Sequence, residues 1–404
     1  MIYPVVAHRN YFRSGNFLSD ITKGYIPVLI DPSLPEEKIK LESDSLRNLK
    51  LNLHRQSHSF LKKKSSLAES DQKWITKFPD EFAIGFRTSG SSGEPKVFFK
   101  TQNEIFSEIL ELRKLFQFES LSEESYFLVD VPLCHLYGFL WGFVLPFSLE
   151  VSAIDSYEFG ETIRLLKAKQ KWIWITIPSK IRSLVDLLSY EKPISLNGSL
   201  VVSSGSILQE SLAAEFEKIF SVPILEIYGS TETGGIGYRY PAKESGFLPF
   251  RGVEIQIQNE ETKIQSFFIM PELLDRDGYF TLRDRLDFEQ NRIVYRGRTD
   301  RIVKRNSKRI HLDELEREME KILGVDSCMA LEYQPETIGV LIEESKVQAL
   351  EVDLHKILER KLPRHYIPDQ ILLCPRLPLT HNGKKDYPNA KRFFLTDKDQ
   401  KMPS

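Results

Sequence analysis

From residue 82 onward, short apolar runs alternate with longer stretches in which apolar residues recur every three or four positions. The short runs span 82–87, 126–131, 172–177, 200–203 and 223–228. Their length and their many β-branched and aromatic residues predict strands, while the intervening periodicity predicts amphipathic helices. Strands that alternate with helices build a largely parallel sheet with helices on its faces. The pattern therefore predicts an α/β fold.

A different order of elements begins after residue 300. Helices are predicted over 312–323 and 347–362, and strands over 325–333, 337–342 and 370–374. These elements amount to a small α+β domain. Because the more polar stretch 258–300 leads into it, we predict a large domain over 1–299 and a small domain over 300–404.

Composition narrows the class of function. The chain has 404 residues, of which 55 are basic and 57 acidic, for a net charge of −2. A nucleic-acid-binding protein usually presents a strongly basic face, so this balance argues against one and favours small-molecule chemistry. The length exceeds that at which single cores stop growing, in agreement with two domains.

Neither a membrane span nor secretion is predicted. The most apolar stretch, 126–147, contains Asp130, Pro132, His135 and Pro146, so we interpret it as buried core. The first residues are polar and charged where a signal peptide needs an apolar run. Three cysteines without metal-ligand spacing predict buried thiols, no zinc site and a reducing, cytoplasmic location. The cysteines are Cys134, Cys328 and Cys374.

The segment from Arg87 to Lys96 has the composition of a phosphate-binding loop. Its glycines allow positive φ and a close approach of the backbone to an anion, and its hydroxyl and N–H groups can donate hydrogen bonds. The spacing of a Walker loop is absent. Thr101 and Glu104 have the spacing of a capping box, which predicts that a helix follows the loop closely. The alternative is an ordinary strand–turn–helix corner.

The segment Tyr228-Gly-Ser-Thr-Glu232 is a second candidate. It places a hydroxyl beside a carboxylate after an apolar run that predicts a strand. A hydroxyl suits a phosphate contact, and a carboxylate at a strand end suits Mg²⁺, which prefers oxygen ligands. Together the two segments predict a site for a nucleoside triphosphate and Mg²⁺.

Five segments in a fixed order resemble the adenylate-forming superfamily, which comprises acyl- and aryl-CoA synthetases, peptide-synthetase adenylation domains and luciferases. Residues 88–96 resemble its phosphate-binding signature, and 132–138 resemble its histidine-containing acyl-pocket motif. Residues 228–232 match its Tyr-Gly-x-Thr-Glu motif, 297–316 its hinge motif and 377–384 its C-terminal lysine loop. The resemblance implies a large adenylation domain of β-sheets covered by helices and a small mobile C-terminal domain.

The resemblance also implies roles for individual residues. The loop and Lys96 would hold the β- and γ-phosphates of ATP, Thr231 would bond the α-phosphate and Glu232 would bind Mg²⁺. Lys384 would bridge the substrate carboxylate and the α-phosphate, with Lys385 as the competing candidate. The loop residues are Thr88, Ser89, Gly90, Ser91, Ser92 and Gly93.

Further site residues follow from the same resemblance. Asp284 would accept hydrogen bonds from both ribose hydroxyls with the help of Arg298, although a surface carboxylate and an exposed ion pair are the alternatives. Tyr228 would stack on adenine or pack as an ordinary core aromatic residue. His135 would line or gate the acyl pocket, and Asp300 would be the hinge. The glycine turn on the adenine side consists of Ser204, Gly205 and Ser206.

Three departures from the family pattern bear on function. An early part of the N-terminal subdomain is expected to be absent, because Gly24–Pro32 resembles a segment that normally follows an entire βαβ region. Leu282-Arg283 replaces the usual Thr-Gly before the ribose carboxylate and adds a positive charge. Ser307 replaces a glycine that usually lies beside the pantetheine channel, which weakens the prediction of thiol transfer.

The sequence therefore predicts an ATP-dependent ligase that forms an acyl-adenylate, releases pyrophosphate and passes the acyl group to a phosphopantetheine thiol of CoA or of an acyl carrier protein. The short N-terminal region and the 304–309 loop resemble stand-alone ligases of aryl-polyene and fatty-acyl type, so we expect a fatty or aromatic acid. The alternative is a degenerate nucleotide-binding protein that acts as a regulatory or scaffold subunit. Retention of six candidate residues counts against that alternative. They are Lys96, Thr231, Glu232, Asp284, Arg298 and Lys384.

Overall fold

The computed structural model contains two compact units, here called unit 1 and unit 2. Unit 1 comprises Met1–Ile255, Lys263–Phe280 and Asn291–Ile293. Unit 2 comprises Gln256–Thr262, Thr281–Gln290 and Val294–Ser404. The residues that the structure describes are 2–46, 67–88, 96–116, 118, 121, 125–156, 158–168, 171–188, 196, 198–305, 308–323, 328–343, 354–380 and 383–395.

Unit 1 is built on a seven-stranded sheet and a four-stranded sheet. Its strands are β1 (Ile2–Val6), β2 (Ile26–Ile30), β3 (Ala83–Thr88), β4 (Lys96–Thr101), β5 (Tyr126–Val129), β6 (Ser152–Asp155), β7 (Trp172–Thr176), β8 (Gly198–Ser203), β9 (Ile224–Ser230), β10 (Gly234–Arg239) and β11 (Leu248–Pro249). The larger sheet has the order β11-β10-β9-β8-β7-β5-β6. Strands β5 to β9 pair in parallel, and β10 and β11 extend the sheet antiparallel. The predicted, largely parallel sheet is confirmed.

Both faces of the seven-stranded sheet are buried. In β7, Trp172 and Trp174 pack into one core while Ile173 and Ile175 pack into the other. A parallel sheet with helices on both faces needs apolar residues at every position, which explains the continuous apolar run in the sequence. The helices of unit 1 are α1 (Arg9–Arg13), α2 (Asn16–Thr22), α3 (Glu36–Leu46), α4 (Glu69–Ile75), α5 (Gln102–Phe116), α6 (Leu136–Phe139), α7 (Leu145–Leu149), α8 (Phe159–Leu166), α9 (Pro178–Leu188) and α10 (Glu210–Phe220).

The four-stranded sheet corrects one prediction. Strands β1, β2 and β3 are parallel, and β4 returns antiparallel beside β3. The predicted capping box is present, because the Thr101 N–H donates to Glu104 Oε2 at 2.7 Å. However, α5 does not follow the glycine loop closely, since the 6 residues of β4 intervene. A strand of that length spans about 20 Å, so the start of α5 is far from the loop.

The apolar stretch 126–147 is buried core, as predicted. It continues from β5 through α6, a π-helical turn over Leu140–Val144, and α7. Pro146 lacks an N–H group, so it cannot bond the carbonyl four residues earlier. That carbonyl, on Gly142, instead accepts a hydrogen bond from Arg13 Nη2 at 3.1 Å. Across the described residues, no helix has both the length and the apolarity needed to cross a membrane.

The chain passes between the units several times before residue 294. The strands of this stretch are β12 (Glu254–Gln258), β13 (Glu261–Gln265), β14 (Phe280–Leu282), β15 (Asp284–Glu289) and β16 (Arg292–Arg298). The chain enters unit 2 for the last time at Val294, and the predicted domain boundary at 299/300 stays a prediction. Asp284, Arg298 and Asp300 all belong to unit 2.

Unit 2 also contains the small α+β arrangement that the sequence predicts. Its elements are β17 (Ile302–Arg305), β18 (Lys308–His311), α11 (Leu312–Leu323), β19 (Cys328–Gln334), β20 (Thr337–Glu343), α12 (Leu354–Lys361), β21 (Gln370–Cys374) and α13 (Tyr387–Lys391). Strands β17 and β18 form a hairpin, and β19, β20 and β21 form a sheet in that order. Leu315 and Met319 of α11 pack with Val340 and Ile342 of β20 in its core. The first part of the helix predicted over 347–362 lies outside the described residues.

Candidate active site

Two of the predicted segments lie side by side at the carboxyl ends of neighbouring inner strands of the seven-stranded sheet, an end that is here called the sheet edge. Strands β8 and β9 are parallel neighbours, so the residues after Ser203 and those at the end of β9 emerge at the same edge. Ser204 Oγ donates to the Ile227 carbonyl at 2.8 Å. Gly205 has φ +95°, a conformation that favours glycine, and Ser206 is exposed. The 204–206 turn and the 228–232 segment are thus direct neighbours.

A buried ion pair fixes the loop that carries this turn. Arg239 Nε lies 2.7 Å from Glu226 Oε2, and both side chains are almost fully buried. Glu226 Oε1 accepts from the Leu208 N–H at 2.6 Å, and Arg239 Nη2 donates to the Leu208 carbonyl at 2.9 Å. Burial raises the pKa of Glu226, and Arg239 opposes that shift. Sequence reasoning missed this pair because its members lie within strands of ordinary appearance.

Thr231 and Glu232 lie in the tight turn between β9 and β10. Ser230 and Thr233 close the turn through a hydroxyl–hydroxyl hydrogen bond of 3.0 Å. Gly229 has no room for a side chain, because a Cβ atom there would lie 2.2 Å from the Gly234 carbonyl oxygen. The turn leaves Glu232 half-buried. One accessible carboxylate fits Mg²⁺, which keeps several waters and commonly takes only one or two protein carboxylates beside substrate phosphates.

Tyr228 precedes this turn and is 7% exposed. Its ring packs against Phe247 with a centroid separation of 5.3 Å. This packing favours the core-aromatic alternative for most of the ring. Stacking of Tyr228 on adenine remains a prediction.

The histidine motif reaches the same sheet edge through Tyr137. The Tyr137 hydroxyl donates to the Val202 carbonyl, near the end of β8, at 2.8 Å. His135 lies just before α6, and its Nε2 is 3.7 Å from Asp31 Oδ2. Sequence reasoning missed both Tyr137 and Asp31, whose positions depend on the pairing of distant strands.

The structure also brings together a set of possible metal ligands. One donor atom each from Asp31, Cys134 and His135 lies within 4.8 Å of the others. Sulfur and nitrogen donors suit Zn²⁺ better than Mg²⁺. Sequence spacing did not indicate this group, because Asp31 comes from a different sheet, and the prediction of no zinc site stays a prediction. The prediction of buried thiols holds for Cys134, Cys328 and Cys374.

The ends of the predicted phosphate loop face each other at the tip of the β3–β4 hairpin. Thr88 and Lys96 are partners in the strand ladder, and Thr88 Oγ1 lies 3.5 Å from the Lys96 carbonyl oxygen. Lys96 is exposed. The loop residues Ser89, Gly90, Ser91, Ser92 and Gly93 lie outside the described residues.

In unit 2, the predicted ribose pair lies together. Arg298 Nη1 is 3.5 Å from Asp284 Oδ1. The same guanidinium donates two hydrogen bonds, of 2.8 and 2.7 Å, to Asp300. Hydrogen bonds to Asp300 raise the pKa of Arg298, so it is fully charged. Arg283 Nη1, the extra positive charge, lies 3.6 Å from Asp300 Oδ2.

The two adjacent lysines of the C-terminal loop have opposite environments. Lys384 is exposed in a turn that is closed by a 2.7 Å hydrogen bond from the Thr380 N–H to the Lys384 carbonyl. Lys385 Nζ lies 2.6 Å from Glu316 Oε2 and donates to the Cys328 carbonyl at 2.6 Å. Lys385 is therefore partly buried and held by partners within unit 2. That Lys384 is the lysine that meets a substrate stays a prediction.

Comparison with known proteins identifies the family. The sequence model of the family described as AMP-binding enzyme matches residues 24–266, more than half of the chain. This match confirms the resemblance to the adenylate-forming superfamily.

Curated relatives include acid–CoA ligases and peptide synthetases. The medium-chain fatty-acid–CoA ligase of Escherichia coli is 24% identical over 351 residues, which cover 77% of this chain and 61% of the relative. The beta-alanine-activating enzyme of Homo sapiens is 30% identical over 118 residues, or 28% of this chain and 11% of the relative. Tyrocidine synthase 3 of Brevibacillus parabrevis is 24% identical across 90% of this chain but 6% of its own length. The chain thus spans less than two thirds of these relatives.

Solved structures share the fold. ATP-bound MatB from Rhodopseudomonas palustris aligns with a TM-score of 0.75 at 12% identity and covers 97% of this chain and 88% of that chain. A variant of E. coli MenE with bound OSB-AMS aligns with a TM-score of 0.72 at 16% identity, over 97% and 87% of the two chains. At these identities the alignments establish the α/β fold of adenylate-forming enzymes.

Proposed function

Because this chain belongs to the family of AMP-binding enzymes, we propose that it activates a carboxylic acid with ATP. A carboxylate oxygen attacks the α-phosphorus, the bond from that phosphorus to the bridging oxygen breaks, and pyrophosphate leaves with an acyl-adenylate as product. Two anions must approach each other in this step, so cations and hydrogen-bond donors must surround them.

The proposal rests on one observation, that the 204–206 turn and the 228–232 segment lie next to each other at the carboxyl ends of their strands. Ligands of open α/β sheets bind beyond the carboxyl ends of the strands. We assign the adenine side to Ser204, Gly205 and Ser206, the α-phosphate contact to Thr231 and the Mg²⁺ ligand to Glu232. Thr88, Lys96 and the loop between them would contact the outer phosphates.

Residues of unit 2 would complete the reaction. Asp284 and Arg298, whose side chains lie 3.5 Å apart, suit the ribose hydroxyls because a carboxylate accepts from both of them. Lys384 would neutralise the reacting carboxylate and α-phosphate, a role that suits the compact charge of an exposed lysine ammonium. Asp300 is proposed as the hinge for a second orientation of the C-terminal domain.

The substrate and acceptor are finer proposals. Relatives named as medium-chain fatty-acid–CoA ligase and 4-coumarate–CoA ligase support a fatty or aromatic acid. A second step would transfer the acyl group to the thiol of CoA or of an acyl carrier protein, with attack of sulfur on the acyl carbon and release of AMP. His135 would line the acyl pocket. Ser307, the departure that bears on this step, lies outside the described residues.

Acid-dependent exchange of labelled pyrophosphate into ATP tests the proposal. A panel of fatty and aromatic acids should contain at least one that stimulates exchange by the parent protein. Lys384→Ala should reduce that exchange by orders of magnitude while ATP still binds, and Lys391→Ala, at an exposed lysine of α13, is the matched control. Binding of ATP without exchange for any acid would instead favour the non-catalytic alternative.

A further inference from the structure

A lysine with no access to solvent lies beneath the turn that carries Thr231 and Glu232. Lys100 is on β4 and is 1% exposed. Its ammonium group donates to the Glu232 carbonyl at 2.9 Å and also to the Phe268 carbonyl. One lysine thereby joins the turn to the loop after β13. Its neighbours on the same face of β4, at positions 96 and 98, are not buried to this degree.

A buried carboxylate holds the other end of the same turn. Glu108, on α5, is 5% exposed and accepts from the Gly235 N–H at 2.9 Å. A Cβ atom at Gly234 would lie 2.4 Å from Glu108 Oε2, and one at Gly235 would lie 3.1 Å from Glu108 Oε1. The carboxylate therefore occupies the space that side chains at positions 234 and 235 would need.

Removing these charged groups from water costs free energy, so their burial is not explained by a general gain in stability. Burial lowers the pKa of Lys100 to about 8, against the attraction of Glu108, Glu104 and Glu232. Burial likewise raises the pKa of Glu108 to about 7. Apolar residues of similar volume often stabilise a protein as well as a buried ion pair does. The specific effect of these two residues is to fix backbone atoms on both sides of the turn.

We propose that Lys100 and Glu108 are positioning residues for acid activation, which hold the 231–235 backbone so that the Thr231 and Glu232 side chains keep one geometry. This inference rests on the proposed function. Neither residue would contact ATP or the acid. Their effect would pass through Glu232, whose carbonyl Lys100 holds and whose carboxylate is the proposed Mg²⁺ ligand.

Kinetics of Lys100→Met and Glu108→Leu test the proposal, with Lys114→Met at an exposed position of α5 as the control. Loss of a charge-assisted hydrogen bond predicts a fall of about 10- to 100-fold in pyrophosphate exchange. The Mg²⁺ concentration at half-maximal rate should rise, while the KM of the acid stays within about twofold of the parent value. In a Glu232→Gln background, Lys100→Met should have little further effect, because coupled residues are not additive. Full additivity, or an unchanged Mg²⁺ requirement, would overturn the proposal.

Hydrogen exchange gives a readout that does not require activity. Amides of residues 229–236 should exchange at least about tenfold faster in Lys100→Met, while peptides of α9 and α10 keep the parent rate. If Lys100→Met does not fold, Glu108→Leu serves instead, because it removes the acceptor of the Gly235 N–H. Parent-like exchange at 229–236 in a folded variant would refute the positioning role even if the parent enzyme proved inactive. An inactive parent with the expected hydrogen exchange would refute the proposed function and the role in acid activation, but not the hold of Lys100 and Glu108 on the 231–235 backbone.

Discussion

Replacement of the two adjacent lysines of the C-terminal loop should separate stability from activity. Lys385→Met removes a cationic partner of the buried Glu316 and a hydrogen bond to the Cys328 carbonyl. Burial lowers the pKa of Lys385, but Glu316 and Glu320 outweigh that effect and raise it, so the side chain is charged. Lys384→Met removes a charge that is already in solvent.

The magnitude follows from what the substitution leaves behind. Breaking a buried ion pair usually costs about 3–5 kcal/mol, because the remaining charge is uncompensated. Glu316 would still have Arg301, whose Nη2 lies 2.8 Å from Glu316 Oε1. We therefore expect the lower end, about 3 kcal/mol, for Lys385→Met. A substitution at an exposed site such as Lys384 should change the free energy of unfolding by less than about 0.5 kcal/mol.

The assay must report on unit 2 by itself. All 4 tryptophans of the chain lie in unit 1, so their fluorescence follows only that unit. Pulsed hydrogen exchange of peptides from α11, β19 and β20 across a urea series follows unit 2. With a urea dependence of about 2 kcal/mol/M, the midpoint of these peptides should fall by about 1.5 M in Lys385→Met.

The expected pattern is reciprocal. Lys384→Met should keep the parent's urea midpoint and lose pyrophosphate exchange. Lys385→Met should have a lower urea midpoint, while the molecules that remain folded keep pyrophosphate exchange. Equal midpoints for parent and Lys385→Met would refute the structural role of that lysine. Pyrophosphate exchange that depends on Lys385 but not on Lys384 would show that the assignment of the two lysines is reversed.

Three further predictions concern the site, the hinge and the sheet edge. Glu232→Gln should reduce pyrophosphate exchange and change its dependence on Mg²⁺, and a mutant with the parent's rate and Mg²⁺ dependence would show that Glu232 is not a ligand. Asp300→Pro, which fixes φ, should impair thioester formation from preformed adenylate more than pyrophosphate exchange, whereas proportional loss of both steps would exclude a hinge at this residue. Arg239→Met leaves Glu226 buried without its cation and should lower the free energy of unfolding by about 3–5 kcal/mol in urea titrations followed by tryptophan fluorescence. A loss below about 1 kcal/mol would show that this ion pair does not hold the Leu208 loop as described.

Much of the fold could be predicted because local patterns and tertiary structure agree. The apolar runs at β5, β7, β8 and β9 are strands, and α11 and β21 have the predicted bounds. The prediction failed where a local signal was incomplete. Residues 96–101 form β4, but their mixed apolar and basic character gave no clear strand period, so the helix was placed next to the loop.

The amino-acid sequence by itself determined the fold class, the family and the residue types of the site, because these depend on periodicity and on short motifs. Only the tertiary structure decided which charged side chains are withdrawn, fully or in part, from solvent. In the sequence Lys100 and Lys385 resemble any exposed lysine, yet one holds the Glu232 carbonyl and the other pairs with Glu316. The free energy of a charge depends on the groups that pack around it, and those groups come from strands and helices that are distant in the chain.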